Sequence, residues 1–423
     1  MLNLFKSNKM FRRFLGYQVF SALGGGVFRI FMLLSVHLIY QNPVYTGIAG
    51  FLMAAPHVLS FVVGPIVDRG NKVAMLRITT WVEFIVLALL IVVPFQEHLG
   101  VWFMFLMVAA YSIAALFEAP AGTAYLPQIV EENEIVQANS LIDIVAMTGG
   151  IGISAALFIV LGLEDVNFNY VYGLSAVFVA LAIIFTKTLK EPSKAGENKQ
   201  VQNFKSYTKD LKEAARFMKS NILLLITFIT VAIGFVLEAA NVNRPAFAEY
   251  HVGPQGYVLM LFFALIGGVL ASSFVGTLGK KFKIGKMAAV LFVLAGIGRI
   301  VFVYILPTNQ TFAYVLLVLY GMVGSAVMLI FFNMRQKMPK KNMVGRVETM
   351  HTTFMAIAVA LGALFGGFLG DIVPVVDDIM TGQGVFYIVL GLVVLALPSM
   401  RKLPPIDEIK RANGDDEDEA KGQ

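Results

Sequence analysis

No cysteine occurs anywhere in the 423 residues, which excludes a disulfide framework, a thiolate metal site and a cysteine nucleophile. Charge is scarce as well. Only 14% of residues are charged, against roughly 25% in a soluble domain, while 58% are hydrophobic and the mean hydropathy is +0.76. The 5 histidines form no histidine–carboxylate cluster with ligand spacing, so neither a metal nor another cofactor is expected. A membrane enzyme would need a nucleophile–base or metal-ligand pattern facing one leaflet, and none is visible. What abounds instead is apolar sequence in blocks of about 20 residues, the length that crosses a hydrocarbon core of about 30 Å. Backbone groups in lipid must be satisfied within the segment, and these runs are too long and too uniformly apolar for barrel strands. The chain reads as an all-α polytopic membrane protein.

Twelve spans are expected, at roughly 14–40, 46–67, 73–95, 101–126, 138–163, 168–187, 220–245, 255–278, 285–306, 311–333, 345–370 and 382–400. The basic residues set their orientation. With the N-terminus inside, all but three of the 33 lysines and arginines fall on inner segments, and the outer loops carry acids such as Glu164-Asp165 and Asp377-Asp378. Both termini are therefore expected in the cytoplasm. That placement also removes the nucleic-acid partner that a formal net charge of +6 would suggest. The basic first thirteen residues lead into a long span without a small-residue cleavage pattern, so the first helix is expected to be retained rather than cleaved.

The longest inner loop divides the spans six and six. The resulting organisation is a cytoplasmic N-tail (1–13), an N-terminal six-helix bundle (14–187), a linker (188–219), a C-terminal six-helix bundle (220–400) and an acidic, disordered C-tail (401–423). Within the linker, Phe204, Tyr207, Leu211, Ala214, Ala215 and Met218 recur at helical spacing with lysines between them. That pattern predicts an amphipathic helix on the inner leaflet, with membrane lipids as its partners. A weak repeat accompanies the division. Gly276-Thr-Leu-Gly-Lys280-Lys281 follows span 8 as Gly64-Pro-Ile-Val-Asp68-Arg69-Gly70-Asn71-Lys72 follows span 2. Two homologous halves with a site between them are a general design of secondary transporters.

An ionisable side chain near the bilayer centre costs on the order of 2.5–3.5 kcal/mol, so it faces a cavity or a partner. The candidates are Arg29, Glu83, Glu118, Asp143, Glu238 and Arg299. Around Glu118, helical spacing collects Tyr111, Ala114, Ala115, Ala121, Gly122 and Tyr125, a stripe that suits a cavity wall or tight helix packing. Glu238 continues a polar stripe of Thr227, Thr230, Gly234 and Asn241. Arg29, Glu118 and Glu238, with Tyr111 and Asn241 beside them, are thus the expected substrate- and proton-binding residues. Glu83 and Arg299 are expected to lock helices together, and His57 and His351 to serve packing.

Three stretches carry a family resemblance. Gly64-x-x-x-Asp68-Arg69-Gly70-x-Lys72 resembles the loop 2–3 signature of the major facilitator superfamily. Phe117-Glu-Ala-Pro120-Ala-Gly-Thr-Ala-Tyr-Leu126-Pro127, running on to Gln137-Ala138-Asn139, is similar to the signature between spans 4 and 5 of its macrolide-efflux and enterobactin-exporter branch. Gln336, Pro339, Gly345-Arg346-Val347, Gly362, Gly366-Gly367 and Gly370-Asp371 agree with it. The resemblance implies the major facilitator fold, two pseudo-symmetric six-helix bundles, and alternating access with export coupled to inward proton flow. It also implies a cytoplasmic gate made by Gly64, Asp68, Arg69 and Lys72 with Asp143 and Arg346. Two features depart from it. Tyr111 stands where many proton-coupled relatives carry an arginine in span 4, and the antiporter signature of span 5 keeps Gly149, Gly150 and Gly152 but lacks its proline.

The resulting expectation is a secondary active transporter of the bacterial plasma membrane and not an enzyme. It exports small amphipathic compounds such as macrolide-like drugs, in exchange for protons. The alternatives are export of an endogenous siderophore, peptide or lipid, and a non-transport sensor or scaffold. A monomer is expected, since each chain holds both halves.

Overall fold

The computed structural model of the protein describes residues 5, 7–92, 100–147, 152, 167–191, 212–213, 215–219, 222–340 and 343–409, without the side chains of 133, 136, 143, 146, 147, 277, 278 and 280. Its long helices, in chain order, are α1 (Lys9–Tyr40), α2 (Pro43–Ala54), α3 (Ser60–Arg69), α4 (Lys72–Val92), α5 (Gly100–Tyr125), α6 (Ile135–Met147) and α7 (Phe168–Thr188). Then follow α8 (Leu223–Asn241), α9 (Arg244–Val252), α10 (Pro254–Lys281), α11 (Ile284–Ile305), α12 (Gln310–Lys337), α13 (Val344–Ile372) and α14 (Val376–Ala396). Among the described residues, 11 helical segments are long and apolar enough to cross a membrane. The fifth expected span, 138–163, lies mostly outside the described residues, which show only its beginning as α6.

The sequence punctuates these helices through ordinary capping chemistry. Gln41 turns the chain at the end of α1 with φ +48°, and its N–H bonds to the His37 carbonyl. Asn42 then caps α2, accepting from the Val44 N–H at 2.9 Å, and Pro43 follows in the first turn, where a missing N–H costs nothing. Asn8, Asn167 and Asn309 cap α1, α7 and α12 in the same way. The second expected span proves discontinuous. Pro56 has no N–H to give to the preceding turn, and Ala55–Leu59 tightens into a 3₁₀ segment before α3 resumes.

Four expected boundaries move. The first helix begins at Lys9, so much of the basic N-tail is already helical. The seventh span ends at Asn241 because Pro245, two residues into α9, cannot donate to the carbonyl four residues back. There the Asn243 amide donates to the Ala239 and Gly366 carbonyls at 2.9 and 2.7 Å. The last span starts at Val376, and its outer end is opened by Asp377 and Asp378 in the first turn, where acids suit the helix dipole. The first part of the tail, which was expected to be disordered, is packed on the second unit. Leu403 and Ile406 are buried, and Lys337 Nζ reaches the Ile406 carbonyl at 3.1 Å. The acidic run Asp415–Glu419 and most of the expected linker helix lie outside the described residues.

The chain divides into two compact units, one of Met1–Val201 with Gly253–Leu259 and the other of Gln202–Val252 with Met260–Gln423. In the first, α1 packs along α7, and α4 along α5 and α7. In the second, α8 packs along α13, and α11 along α12 and α14. The α8–α13 contact is made by glycine. A Cβ at Gly362 would overlap the Phe235 carbonyl, and one at Gly366 the Ala239 carbonyl, so only hydrogen lets the backbones approach this closely.

Candidate functional site

One face of α1 repeats Gln18, Ser21, Ala22, Gly25, Phe28 and Arg29 at the spacing of a helical stripe, and α5 offers Tyr111, Ser112, Ala115, Glu118 and Ala119 opposite it. Together with Met53, His57, Glu83 and Ile142 these residues line a cavity of about 280 Å³ in the first unit. Its walls are small or aromatic, and its charged members are Arg29, Glu83 and Glu118. Gly25 lies beside them, with room for a Cβ in ordinary contact. A Cβ there would stand 3.4 Å from the Tyr111 hydroxyl and 3.9 Å from the Arg29 guanidinium.

The two acids converge from different helices. Glu118 is half-buried on α5, and its Oε1 accepts the hydroxyls of Tyr17 and Ser21 from α1. Glu83, from α4, is 1% exposed and lines the same cavity as Glu118. Arg29 is exposed on the cavity side, where its Nε donates to the Gly25 carbonyl at 3.2 Å and its charge acts on Glu83, Tyr111 and His57. Tyr111 stacks on Phe28, centroids 3.7 Å apart and planes 13° apart. The cation that Tyr111 does not supply from α5 thus arrives from α1 as Arg29.

Of the five residues expected to bind substrate or protons, the structure brings Arg29, Tyr111 and Glu118 to this cavity. Glu83 joins them, although helix locking was expected of it, and so does His57. The neighbours of Glu83 on α4 (Thr79, Thr80, Val86 and Leu87) are those of an ordinary packing helix. The relevant neighbour is on α5. The intramembrane carboxylate itself was the only available signal.

Glu238 and Asn241 lie together in the second unit, where the Asn241 amide donates to Glu238 at 3.1 Å and Arg244 supplies the nearby positive charge. The stripe that leads to them is drier than expected. Thr227 and Thr230 are buried, the Thr230 hydroxyl pairs with His351 Nε2 at 2.9 Å, and a Cβ at Gly234 would overlap the Met355 sulfur. These positions pack α8 against α13 instead of wetting a cavity. His351 accordingly serves packing, as expected.

At the α3–α4 hairpin, Asp68 and Arg69 are exposed while Lys72 is buried. Lys72 Nζ donates to the carbonyls of Asp68 and Gly70 at 2.8 and 2.9 Å, closing the end of α3. Glu191, within the expected linker, accepts the Lys72 and Val73 N–H groups at 3.2 and 2.9 Å and so caps α4. Gly64 has another role than close helix approach, since a Cβ there would meet nothing within 4 Å. Arg346 pairs with Glu213 at 2.7 Å. The Asp143 side chain lies outside the described residues.

Comparison with known proteins follows from this geometry. The profile of the Major Facilitator Superfamily matches residues 14–363. The chain is 22% identical over 423 residues to the enterobactin exporter EntS of Salmonella choleraesuis (strain SC-B67), covering 96% of this chain and 97% of that protein. It is also 22% identical over 420 residues to the EntS of Escherichia coli O1:K1 / APEC, with 96% of each covered. Among solved structures, the nucleoside transporter NupG superposes with a TM-score of 0.69 at 15% identity, covering 92% of this chain and 99% of that one. A bacterial homologue of the human lysosomal transporter Spinster, in an inward-facing and unoccupied conformation, gives 0.64 at 13% identity, covering 96% and 100%.

Proposed function

Because the chain belongs to the Major Facilitator Superfamily, a family of membrane transporters and not of enzymes, we propose that it exports amphipathic compounds by alternating access in exchange for protons. The observation that carries this reading is the acid pair Glu83–Glu118 on a cavity that also holds Arg29. A carboxylate there holds either a proton or a cationic group of the substrate, and that exclusivity is what exchange requires. Phe28, Met53 and Tyr111 beside it suit the apolar body of such a compound. Glu238 with Asn241 is a further acid that a substrate cation can use in the second unit.

The relatives support a second reading. Both are named enterobactin exporters, so a siderophore is the alternative cargo, with Arg29 facing its acidic oxygens in place of Glu118 facing an amine. Uptake into inside-out vesicles separates the two, with macrolides, siderophores and lysolipids offered in turn, with and without a pH gradient. Gradient-driven uptake of basic amphipaths supports the first reading. Uptake of siderophores alone replaces it with the second.

The hairpin of Gly64, Asp68, Arg69 and Lys72, with Asp143 and Arg346, is proposed as the cytoplasmic gate. Asp68→Asn is then expected to impair transport much more than substrate binding, measured as uptake against equilibrium binding. Equal loss of both would place Asp68 at the substrate instead.

A further inference from the structure

One end of the second unit gathers positive charge from two distant parts of the chain. Lys281, Lys283 and Lys286 surround the turn from α10 into α11, and Arg401 and Lys402 follow α14. The fold holds the two groups side by side. A Cβ at Gly285 would overlap the Met400 carbonyl and stand 3.1 Å from the Arg401 Cα, so the first turn of α11 lies directly on the backbone of 400–401. Met400, Leu403 and Ile406 are buried in the same core cluster as Ile284, which fixes that segment in place. All five cations are exposed, and none makes an ion pair among the described residues. The nearby acid Asp407 is taken by Lys337, at 3.7 Å. Phe282, 54% exposed, stands between Lys281 and Lys283. The turn from α5 into α6 in the first unit carries acids instead, Glu131, Glu132 and Glu134.

We propose that this basic surface binds the headgroup of an anionic phospholipid of the inner leaflet, with Phe282 inserted at the boundary of headgroup and acyl chain. Like charges held this close repel one another, and an anion seated among them removes the repulsion. The surface lies where α10, α11 and α14 end, at the level of the headgroups, so a lipid phosphodiester is the anion in reach. Lysine and arginine stems lie along apolar ground and bring their charges to that level, and an aromatic ring favours the same interface. Bound there, one lipid bridges the α10–α11 turn to the segment after α14 and holds the ends of those spans together. The site rests on the inner placement of the basic loops and not on what the chain transports.

Native mass spectrometry of the purified full chain in detergent, titrated with phosphatidylglycerol or phosphatidylcholine, tests the proposal. Phosphatidylglycerol is expected to bind about tenfold more tightly than phosphatidylcholine. Lys286→Gln with Arg401→Gln is expected to weaken it about tenfold, at about fivefold for each cation removed. Lys187→Gln with Lys190→Gln removes two exposed cations from the end of α7 in the first unit and is expected to change it by less than about twofold. Should the first pair fail to fold, Lys283→Gln alone decides, with an expected loss of about fivefold. Equal binding of the two lipids, equal loss in both pairs of variants, or displacement of the lipid by millimolar inorganic phosphate would overturn the proposal. A preference absent from the full chain that emerges on removing residues 410–423 would also overturn it, and would give the surface to the acidic run Asp415–Glu419 instead.

Discussion

Each unit buries one charge on its third spanning helix, and the two units treat it in opposite ways. In the first, Glu83 on α4 meets a second acid and faces a cavity that holds Arg29. In the second, Arg299 on α11 is 1% exposed and lies over the rings of Phe302 and Tyr320, at 5.3 and 5.7 Å, with Met380 Sδ at 2.7 Å from its Nη2. Among the described residues no carboxylate pairs with it, and its Nε has no partner. An arginine stays protonated in any protein environment, so Arg299 is a fixed charge held by ring faces. A carboxylate pair can gain and lose a proton. In the proposed function the first unit carries the exchange chemistry, and the charge of the second belongs to its scaffold.

That contrast is broken most severely at the acids. Glu118→Gln and Glu83→Gln are each expected to abolish gradient-driven export, whereas Glu238→Gln retains most of it, as vesicle uptake would report. Loss in Glu238→Gln alone would move the exchange chemistry to the second unit. The next effect is on packing. Gly362→Leu forces a side chain into the Phe235 carbonyl and is expected to destabilise the second unit by about 3 kcal/mol. Gly64→Ala, with open space around it, changes stability by less than about 0.5 kcal/mol. Thermal unfolding in detergent compares the two.

Arg299→Met sharpens the comparison from the other side. Removing a buried charge that has no ionic partner is expected to raise stability by about 1 kcal/mol or more while transport persists. Arg29→Met is expected to leave stability nearly unchanged and to impair transport. A modest effect is expected at the N-terminus of α4. Glu191→Gln weakens the cap of α4 and is expected to cost about 0.5–1 kcal/mol in the same unfolding measurement, without loss of substrate binding.

The helices were legible because lipid leaves the backbone few choices, and the interruption of the second span was written in Pro56. Arg29 and Glu118 were legible because a charge in an apolar run has to be explained. Glu83 was equally visible as a charge but not as part of a site. Its partner comes from α5, and convergence of two helices is a tertiary fact that spacing along either one does not contain. Glu191 was hidden for the same reason, since a glutamate after a helix end reads as loop until the N-terminus of α4 is seen beside it. The stripe of Thr227, Thr230 and Gly234 misled in the opposite direction. Small polar residues suit a wet wall and a tight helix contact equally well, and here α13 fills the groove. Glycine showed the same ambiguity, as Gly362 and Gly366 mark close approach while Gly64 does not.

The central claim is that proton and substrate compete for the acids of the first unit. The most direct measurement is proton counterflow in inside-out vesicles, read with a pH dye trapped in an acidified lumen when a basic amphipathic substrate is added. The account expects substrate-dependent alkalinisation of the lumen with the wild type and none with Glu118→Gln. Substrate uptake without proton outflow, or equal outflow with Glu118→Gln, would contradict it.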